Sequence, residues 1–432
     1  MIGVRARTEL LWVASGQVTS LLLSILTLKV LTFRLGPEGY GQFALGLSIA
    51  GGLNLFLYGP LSQAVSRYVH VCSGPGDMNT LNQVVSAWLR NAFRGVLLAG
   101  FVLVAILWGG SLAQWIALVF VALGYGVFSG MLSVYLADIN TRRQRRTYSI
   151  LQSSDAALRL MVAMILVVWW AESAVLAMSG FMVGSLLVGA VAYRMAGKGV
   201  PADTLPPASS AHLFSADFTR YAISFSLLAV PGIFATYGDR WLIQQTMTDA
   251  DVGIYVALAQ IAAAPANLLL SIFSQVLNPV LFQRAGAANS PGSVRASRIL
   301  LYRALVLFVI VLATLVVASA AFGVTLVQWM TSAAFAHHGG LLWNLVLSAA
   351  IFQVGQALAA ESFIYNRPFL MFFPKMAHAA IFLGLASVFV AGRGLGGVAW
   401  AAVVAAFSYL ALVLATNSWA GKRYVANHGQ NG

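Results

Sequence analysis

Apolar stretches of about 20 residues, the length a helix needs to cross a bilayer core, recur along the whole chain with short polar connections between them. Twelve are predicted, at 10–33, 43–66, 92–109, 112–136, 149–170, 174–194, 221–244, 252–274, 300–321, 341–363, 371–391 and 396–417. They are too long for barrel strands, and lipid leaves no water for an unpaired backbone, so the pattern specifies helices. The longest hydrophilic connection, at about 195–220 with Pro201, Pro206, Pro207, Ser209 and Ser210, reads as a flexible linker. It divides the chain into an N-terminal six-helix bundle at 1–196, a linker at 197–217 and a C-terminal six-helix bundle at 218–432. Because six is even, both bundles enter the membrane in the same direction, and any internal repeat is parallel. Offset by 212 residues, Gly41, Ile49, Ala50, Ser62 and Gln63 coincide with Gly253, Ile261, Ala262, Ser274 and Gln275, a faint trace of such a repeat. The expected fold is therefore an all-α integral membrane protein, twelve transmembrane helices in two parallel-repeat bundles with a central cavity.

Composition agrees, since 60% hydrophobic and 9% charged residues cannot cover a soluble 45.9 kDa globule. The net charge of +13 is explained by position. Of 25 Lys and Arg residues, 20 fall in alternate connections or at the span ends that border them, among them Arg5, Arg7, Arg67, the cluster Arg142, Arg143, Arg145 and Arg146, and later Arg284, Arg295, Arg298 and Arg303. Only Arg34 and Arg393 fall in the opposite set, and Lys29, Arg159 and Arg240 lie within spans. The positive-inside rule then places both termini in the cytoplasm, and nucleic acid is not an expected partner. The run after Arg5 and Arg7 continues past Leu26 to Phe33 without a small-residue cleavage site, so it is read as the first span. A single Cys72 excludes an internal disulfide, and no spaced Cys/His set could hold a metal; no cofactor is expected.

Polar residues are unevenly shared among the spans. Gln17, Ser20, Ser24 and Thr27 form a stripe on span one, and Asn54, Tyr58, Ser62 and Ser66 one on span two. Span eight carries Gln260, Asn267, Ser271, Ser274 and Asn278, and span seven Tyr221, Ser224, Thr236, Tyr237, Asp239 and Arg240. Spans one, two, seven and eight are equivalent in the two halves, which points to a hydrated groove; the alternative is that these groups only glue helices together. Ionisable groups inside spans are candidates for function because lipid makes them costly. Arg159 lies roughly 15 Å into span five, and Asp155 one turn earlier could neutralise it, as a structural pair or as part of a site. Lys29, Asp239 and Arg240 lie near outer span ends, Arg67 and Glu361 near inner ones. Cations facing a groove would attract an anionic head group, with Arg matching phosphate in bidentate fashion, while Asp155, Asp239 or Glu361 could bind a coupling proton or sodium ion.

The stretch Leu35-Gly36-Pro37-Glu38-Gly39-Tyr40-Gly41-Gln42-Phe43 resembles the LGxxxYGxF/Y signature of polysaccharide flippases in the multidrug/oligosaccharidyl-lipid/polysaccharide exporter superfamily. Gly238-Asp239-Arg240-Trp241-Leu242-Ile243, Gly253-Ile254-Tyr255 and Asn278-Pro279 extend the likeness into the second half. What it implies is an O-antigen (Wzx-type) flippase of the bacterial inner membrane, with helices one, two, seven and eight lining a cationic cavity. Such a protein moves an undecaprenyl-diphosphate-linked oligosaccharide to the periplasmic leaflet and is not an enzyme. In that role Arg159, Arg240, Lys29, Arg34 and Arg67 neutralise the diphosphate, while Gln17, Ser24, Asn54, Tyr58, Gln260 and Asn267 meet the sugars. Membrane lipids surround it, and a glycan polymerase or ligase is a conceivable partner. Three alternatives stay open: a cation-coupled drug antiporter of the same superfamily, a membrane enzyme of glycan assembly, and a peptidoglycan-precursor flippase, a kind that typically carries extra spans and more basic first-half helices. The first needs more buried acids than this chain has; the second usually needs a large outward loop, and the largest here, about 322–340, offers only His337 and His338 as obvious titratable groups.

Overall fold

The structure, a computed structural model, describes residues 4–71, 75–108, 113–196, 208–285, 291–365 and 367–428, and among them all regular structure is helical. Helix α1 (Val4–Leu53) runs through a π-helical turn (Asn54–Tyr58) into α2 (Gly59–Val71), followed by α3 (Pro75–Trp108), α4 (Ile116–Thr141), α5 (Arg145–Trp169) and α6 (Ala174–Met195). Then come α7 (Ala208–Thr246), α8 (Asp249–Ala285), α9 (Pro291–Met330), the short α10 (Ala333–Ala336), α11 (Leu342–Leu358), the short α12 (Ala360–Ile364) and α13 (Phe372–His428).

Ten helical stretches among the described residues are long and apolar enough to cross a membrane, and two of them, Ala14–Val69 and Phe369–Tyr424, run for 56 residues each. A straight helix of that length would measure about 84 Å, more than twice the bilayer core. Each is broken at a glycine with positive φ: Gly36 (φ 65°, ψ −177°) and Gly394 (φ 53°, ψ −140°). Side chains are penalised there, so glycine marks the points where the chain turns back. Dividing both stretches at these glycines gives the twelve expected spans. Helix ends run past the apolar stretches, however: α3 starts at Pro75 instead of near 92, and α9 covers 40 residues. Hydropathy marks only where a helix meets lipid, whereas its backbone bonds can continue into water.

The contacts group the chain into two compact units, 1–233 and 234–432. The boundary falls inside α7 just after Pro231, whose missing N–H interrupts the helix ladder. Phe218 and Ala222, at the start of α7, are fully buried with Tyr58, Leu61 and Ala64 in a core of the first unit. Of the linker expected at 197–217, residues 197–207 lie outside the described residues. The core of the second unit gathers residues of α8, α9, α11 and α13, including Leu281, Leu301, Leu305, Ala357 and Tyr409.

Without a hydrophobic force between helices in lipid, close van der Waals approach has to hold them together, and small residues permit it. A Cβ at Gly180 of α6 would lie 2.3 Å from the Ala163 Cα of α5, and one at Gly130 of α4 only 2.2 Å from the Tyr58 ring. Large apolar side chains are correspondingly exposed, among them Leu98, Phe101, Leu227 and Val317. Trp108, Trp169, Trp170 and Trp329 are each more than 70% exposed at helix ends, the place where indole rings favour the membrane interface. The π turn also has a local cause. Pro60 cannot donate a backbone bond, and the Gly59 N–H reaches the Asn54 carbonyl instead.

Candidate functional site

In the first unit one charged cluster lies midway along α5. Asp155 and Arg159, spaced i, i+4, lie on the same face of α5, and Arg159 Nη2 stands 2.9 Å from Asp155 Oδ2. Arg159 Nη1 donates to the Tyr125 hydroxyl of α4 at 2.7 Å, and the Ser185 hydroxyl of α6 donates to Asp155 Oδ1 at 2.7 Å. Helix α6 comes this close because residue 184 is glycine: a Cβ there would sit 2.7 Å from the Arg159 backbone nitrogen. The guanidinium also lies 5.4 Å from the Phe181 ring centroid. Phe181 in turn meets Tyr125 and Phe43 edge-on, at 5.6 Å and 5.1 Å. Four helices, α1, α4, α5 and α6, thus converge on one ion pair whose charges are largely withdrawn from solvent.

The other cations of this unit have different neighbours. Arg34 reaches Glu172 at 3.4 Å with both side chains substantially exposed. Arg67 lies 4.6 Å from the centre of the Tyr221 ring. Lys29 is exposed on α1, beyond the half-buried Gln17 and the exposed Ser24. Within this unit the cations expected to meet a diphosphate are therefore spread along the spans, not gathered at one point. The sugar-facing candidates divide likewise. Asn54 Nδ2 donates to the Ala50 carbonyl at 3.1 Å and to Ser129 Oγ of α4 at 3.0 Å, and Tyr58 is fully buried against Gly130. Both residues brace span two against span four, the packing role open to such groups in lipid.

In the second unit, Asp239 accepts a hydrogen bond from the Arg240 N–H at 2.8 Å and another from the Tyr255 hydroxyl. The Arg240 guanidinium lies 5.0 Å from the centre of the Tyr237 ring. Gln260 is half-buried on α8, and the exposed Asn267 accepts a hydrogen bond from Gln353 of α11. Glu361 is wholly buried. Its Oε1 lies 2.6 Å from Arg298 Nε and accepts from Tyr365 at 3.0 Å, while Oε2 accepts from Tyr302 at 2.9 Å.

The signature at 35–43 can now be read physically. Gly36 supplies the left-handed turn, while Leu35, Tyr40 and Phe43 are buried, Phe43 against the ring that covers Arg159. It is a motif for closing a helical hairpin onto a bundle. Residues 7–284 match the family described as polysaccharide biosynthesis protein. The chain belongs to that family. No curated protein sequence matches it. Among solved structures, the chain is similar to the lipid II flippase MurJ in an inward closed conformation, at 14% identity and TM-score 0.70, over 98% of this chain and 90% of that one. It is also similar to a multidrug resistance MATE family transporter of the MOP superfamily in an inward-facing conformation, at 12% identity and TM-score 0.64, over 97% and 96% of the two chains. A MOP superfamily transporter from Pyrococcus furiosus gives 13% identity and TM-score 0.63, again over 97% and 96%. The chain is thus a multi-pass membrane protein with the paired-bundle fold seen in these transporters.

Several groups that complete these clusters carried no signal in the sequence. Tyr125 and Ser185 lie 34 and 30 residues from their partners, and Glu361 lies 59 from Tyr302. Asp138, 2.8 Å from Arg142 Nε, did have an i, i+4 signature and sits where α4 meets the basic cluster.

Proposed function

We propose that this protein is a flippase that carries an undecaprenyl-diphosphate-linked oligosaccharide, an O-antigen or exopolysaccharide repeat unit, from the cytoplasmic to the periplasmic leaflet of the bacterial inner membrane by alternating access. The state of the span carboxylates carries the reading. Asp155 lies 2.9 Å from Arg159 and Glu361 2.6 Å from Arg298. A transporter of organic cations needs an acid for its cargo, and here guanidinium groups already occupy two of the three candidates. A diphosphate makes the opposite demand. Arg240, Lys29, Arg34 and Arg67 supply positive charge along its route, with Arg suited to bidentate contact with phosphate. Gln17, Ser24, Gln260 and Asn267 supply hydrogen bonds to sugar hydroxyls, and the polyprenyl tail stays in lipid, so only the polar head needs a path. The moving parts in this reading are the bundles 1–196 and 218–432, joined by the 197–217 linker, with both termini cytoplasmic. Asp239, which accepts from the Arg240 backbone N–H and the Tyr255 hydroxyl, is the acid for a coupling proton or sodium ion. The same residue, with the MATE-like fold, supports cation-coupled antiport as a second reading.

The test is transbilayer movement of a fluorescent undecaprenyl-diphosphate oligosaccharide in proteoliposomes, native chain against Arg240→Gln and Lys29→Gln. Movement slowed about ten-fold or more, the loss of one charge-assisted contact, is the expected result in variants that keep the native unfolding temperature. Absence of lipid movement, together with organic-cation uptake against a proton or sodium gradient, selects the antiporter.

A further inference from the structure

Away from these spans, Arg295, Arg298, Ile299, Tyr302, Arg303 and Val306 line a cavity of about 470 Å³ on α9. At 100° per residue the six fall within about 140° of helix circumference, a single face. The charge there is unbalanced. Residues 234–432 contain only four carboxylates, Asp239, Asp249, Asp251 and Glu361. Asp239 is held by Arg240 and Tyr255, Asp249 by Gln244 and Asp251 by Thr248, which leaves Glu361 alone beside the cavity. It is fully buried and compensates only Arg298. Arg295 and Arg303 are exposed, with no carboxylate partner among the described residues, so the cavity carries two excess positive charges. The position matters equally. Arg303 is the last charge before the uncharged run Ala304–Met330, and Ile299 and Val306 stand 45% and 62% exposed beside it. A ligand here meets guanidinium groups at one end and an unbroken apolar helix face at the other.

We propose that this cavity binds an anionic glycerophospholipid of the surrounding leaflet, its phosphodiester on Arg295 and Arg303 and an acyl chain along Ile299 and Val306. The Glu361–Arg298–Tyr302 cluster behind it fixes the third guanidinium and the wall. Two excess charges match the two phosphodiesters of cardiolipin better than the single one of phosphatidylglycerol, and zwitterionic phosphatidylcholine poorly.

Native mass spectrometry of the detergent-purified full chain, titrated with each of these three lipids, tests the site. The expected order of retention is cardiolipin, phosphatidylglycerol, phosphatidylcholine. Arg295→Gln/Arg303→Gln should bind cardiolipin about thirty-fold more weakly, from roughly one juxtamembrane interaction lost per arginine. Arg295→Lys/Arg303→Lys should retain most of the binding, and Arg90→Gln/Arg94→Gln, an equal charge loss at exposed sites of α3, should bind as the native chain does. Equal retention in the double Gln variant, or an equal loss in the α3 control, overturns the proposal. So does displacement of cardiolipin by glycerol phosphate, which marks a site for free phosphate, or by undecaprenyl diphosphate at lower concentration, which assigns the cavity to the substrate.

Discussion

Removing Arg159 should damage the fold of the first unit before it touches transport. Arg159→Ala leaves the Asp155 carboxylate buried with only the Ser185 hydroxyl at 2.7 Å, having lost its counter-charge at 2.9 Å. The Phe181 ring also loses its cation at 5.4 Å. Breaking one half of a buried pair costs about 3–5 kcal/mol, whereas replacing both halves with groups of similar volume is often close to neutral. The double variant Asp155→Leu/Arg159→Leu is therefore expected to be less destabilised than the sum of Asp155→Leu and Arg159→Leu, with a coupling energy of about 2–3 kcal/mol. In a unit of this size, 3–5 kcal/mol corresponds to a fall of about 6–20 °C in unfolding temperature. The assay is thermal unfolding of detergent-solubilised protein followed by tryptophan fluorescence, for the native chain, Arg159→Ala, the two leucine single variants and the double. If Arg159→Ala unfolds at the native temperature yet stops lipid movement, the pair is not what holds α4, α5 and α6 together, and Arg159 acts on the substrate directly. A double variant destabilised by the sum of the two single variants would also refute the reasoning, because no coupling would remain.

Gly36→Ala places a side chain at φ 65° and ψ −177°, a region essentially reserved for glycine, and should cost about 1–3 kcal/mol. Size-exclusion chromatography of a fluorescent fusion after a heating series measures this; native behaviour of the alanine variant would remove the turn explanation of the signature. Arg34→Ala is expected to change stability by less than about 1 kcal/mol, since its partner Glu172 lies 3.4 Å away and both side chains are substantially exposed. A large drop in unfolding temperature would contradict that reading, whereas a loss of lipid movement at native stability would place Arg34 on the substrate route.

The glycine breaks show how far local pattern reaches and where it stops. Two 56-residue helical stretches were separable into four spans from hydropathy alone, because the polar and glycine-rich segments at 34–42 and 392–397 interrupt the apolar runs. The start of α3 was not legible, because nothing in hydropathy records where a helix continues into water. The Asp155–Arg159 pair could be anticipated, being one helical turn apart; its closing partners, Tyr125 and Ser185, could not, because contacts over 34 and 30 residues depend on how helices pack. Glu361 looked like an ion-coupling candidate by depth and chemistry, and only the packed structure sets it against Arg298, Tyr302 and Tyr365.

The chain by itself determined that this is a helical membrane protein and how its apolar stretches divide into spans. Those properties follow from the cost of placing polar groups in hydrocarbon, a cost each segment incurs alone. Which polar groups hold the helices together, and which stay open to a ligand, was decided by tertiary structure, because Gly130, Gly180 and Gly184 set how closely neighbouring helices approach. Asn54, Tyr58 and Arg159 carry the same chemistry as residues free to meet a substrate, and only their neighbours across helix interfaces distinguish the two.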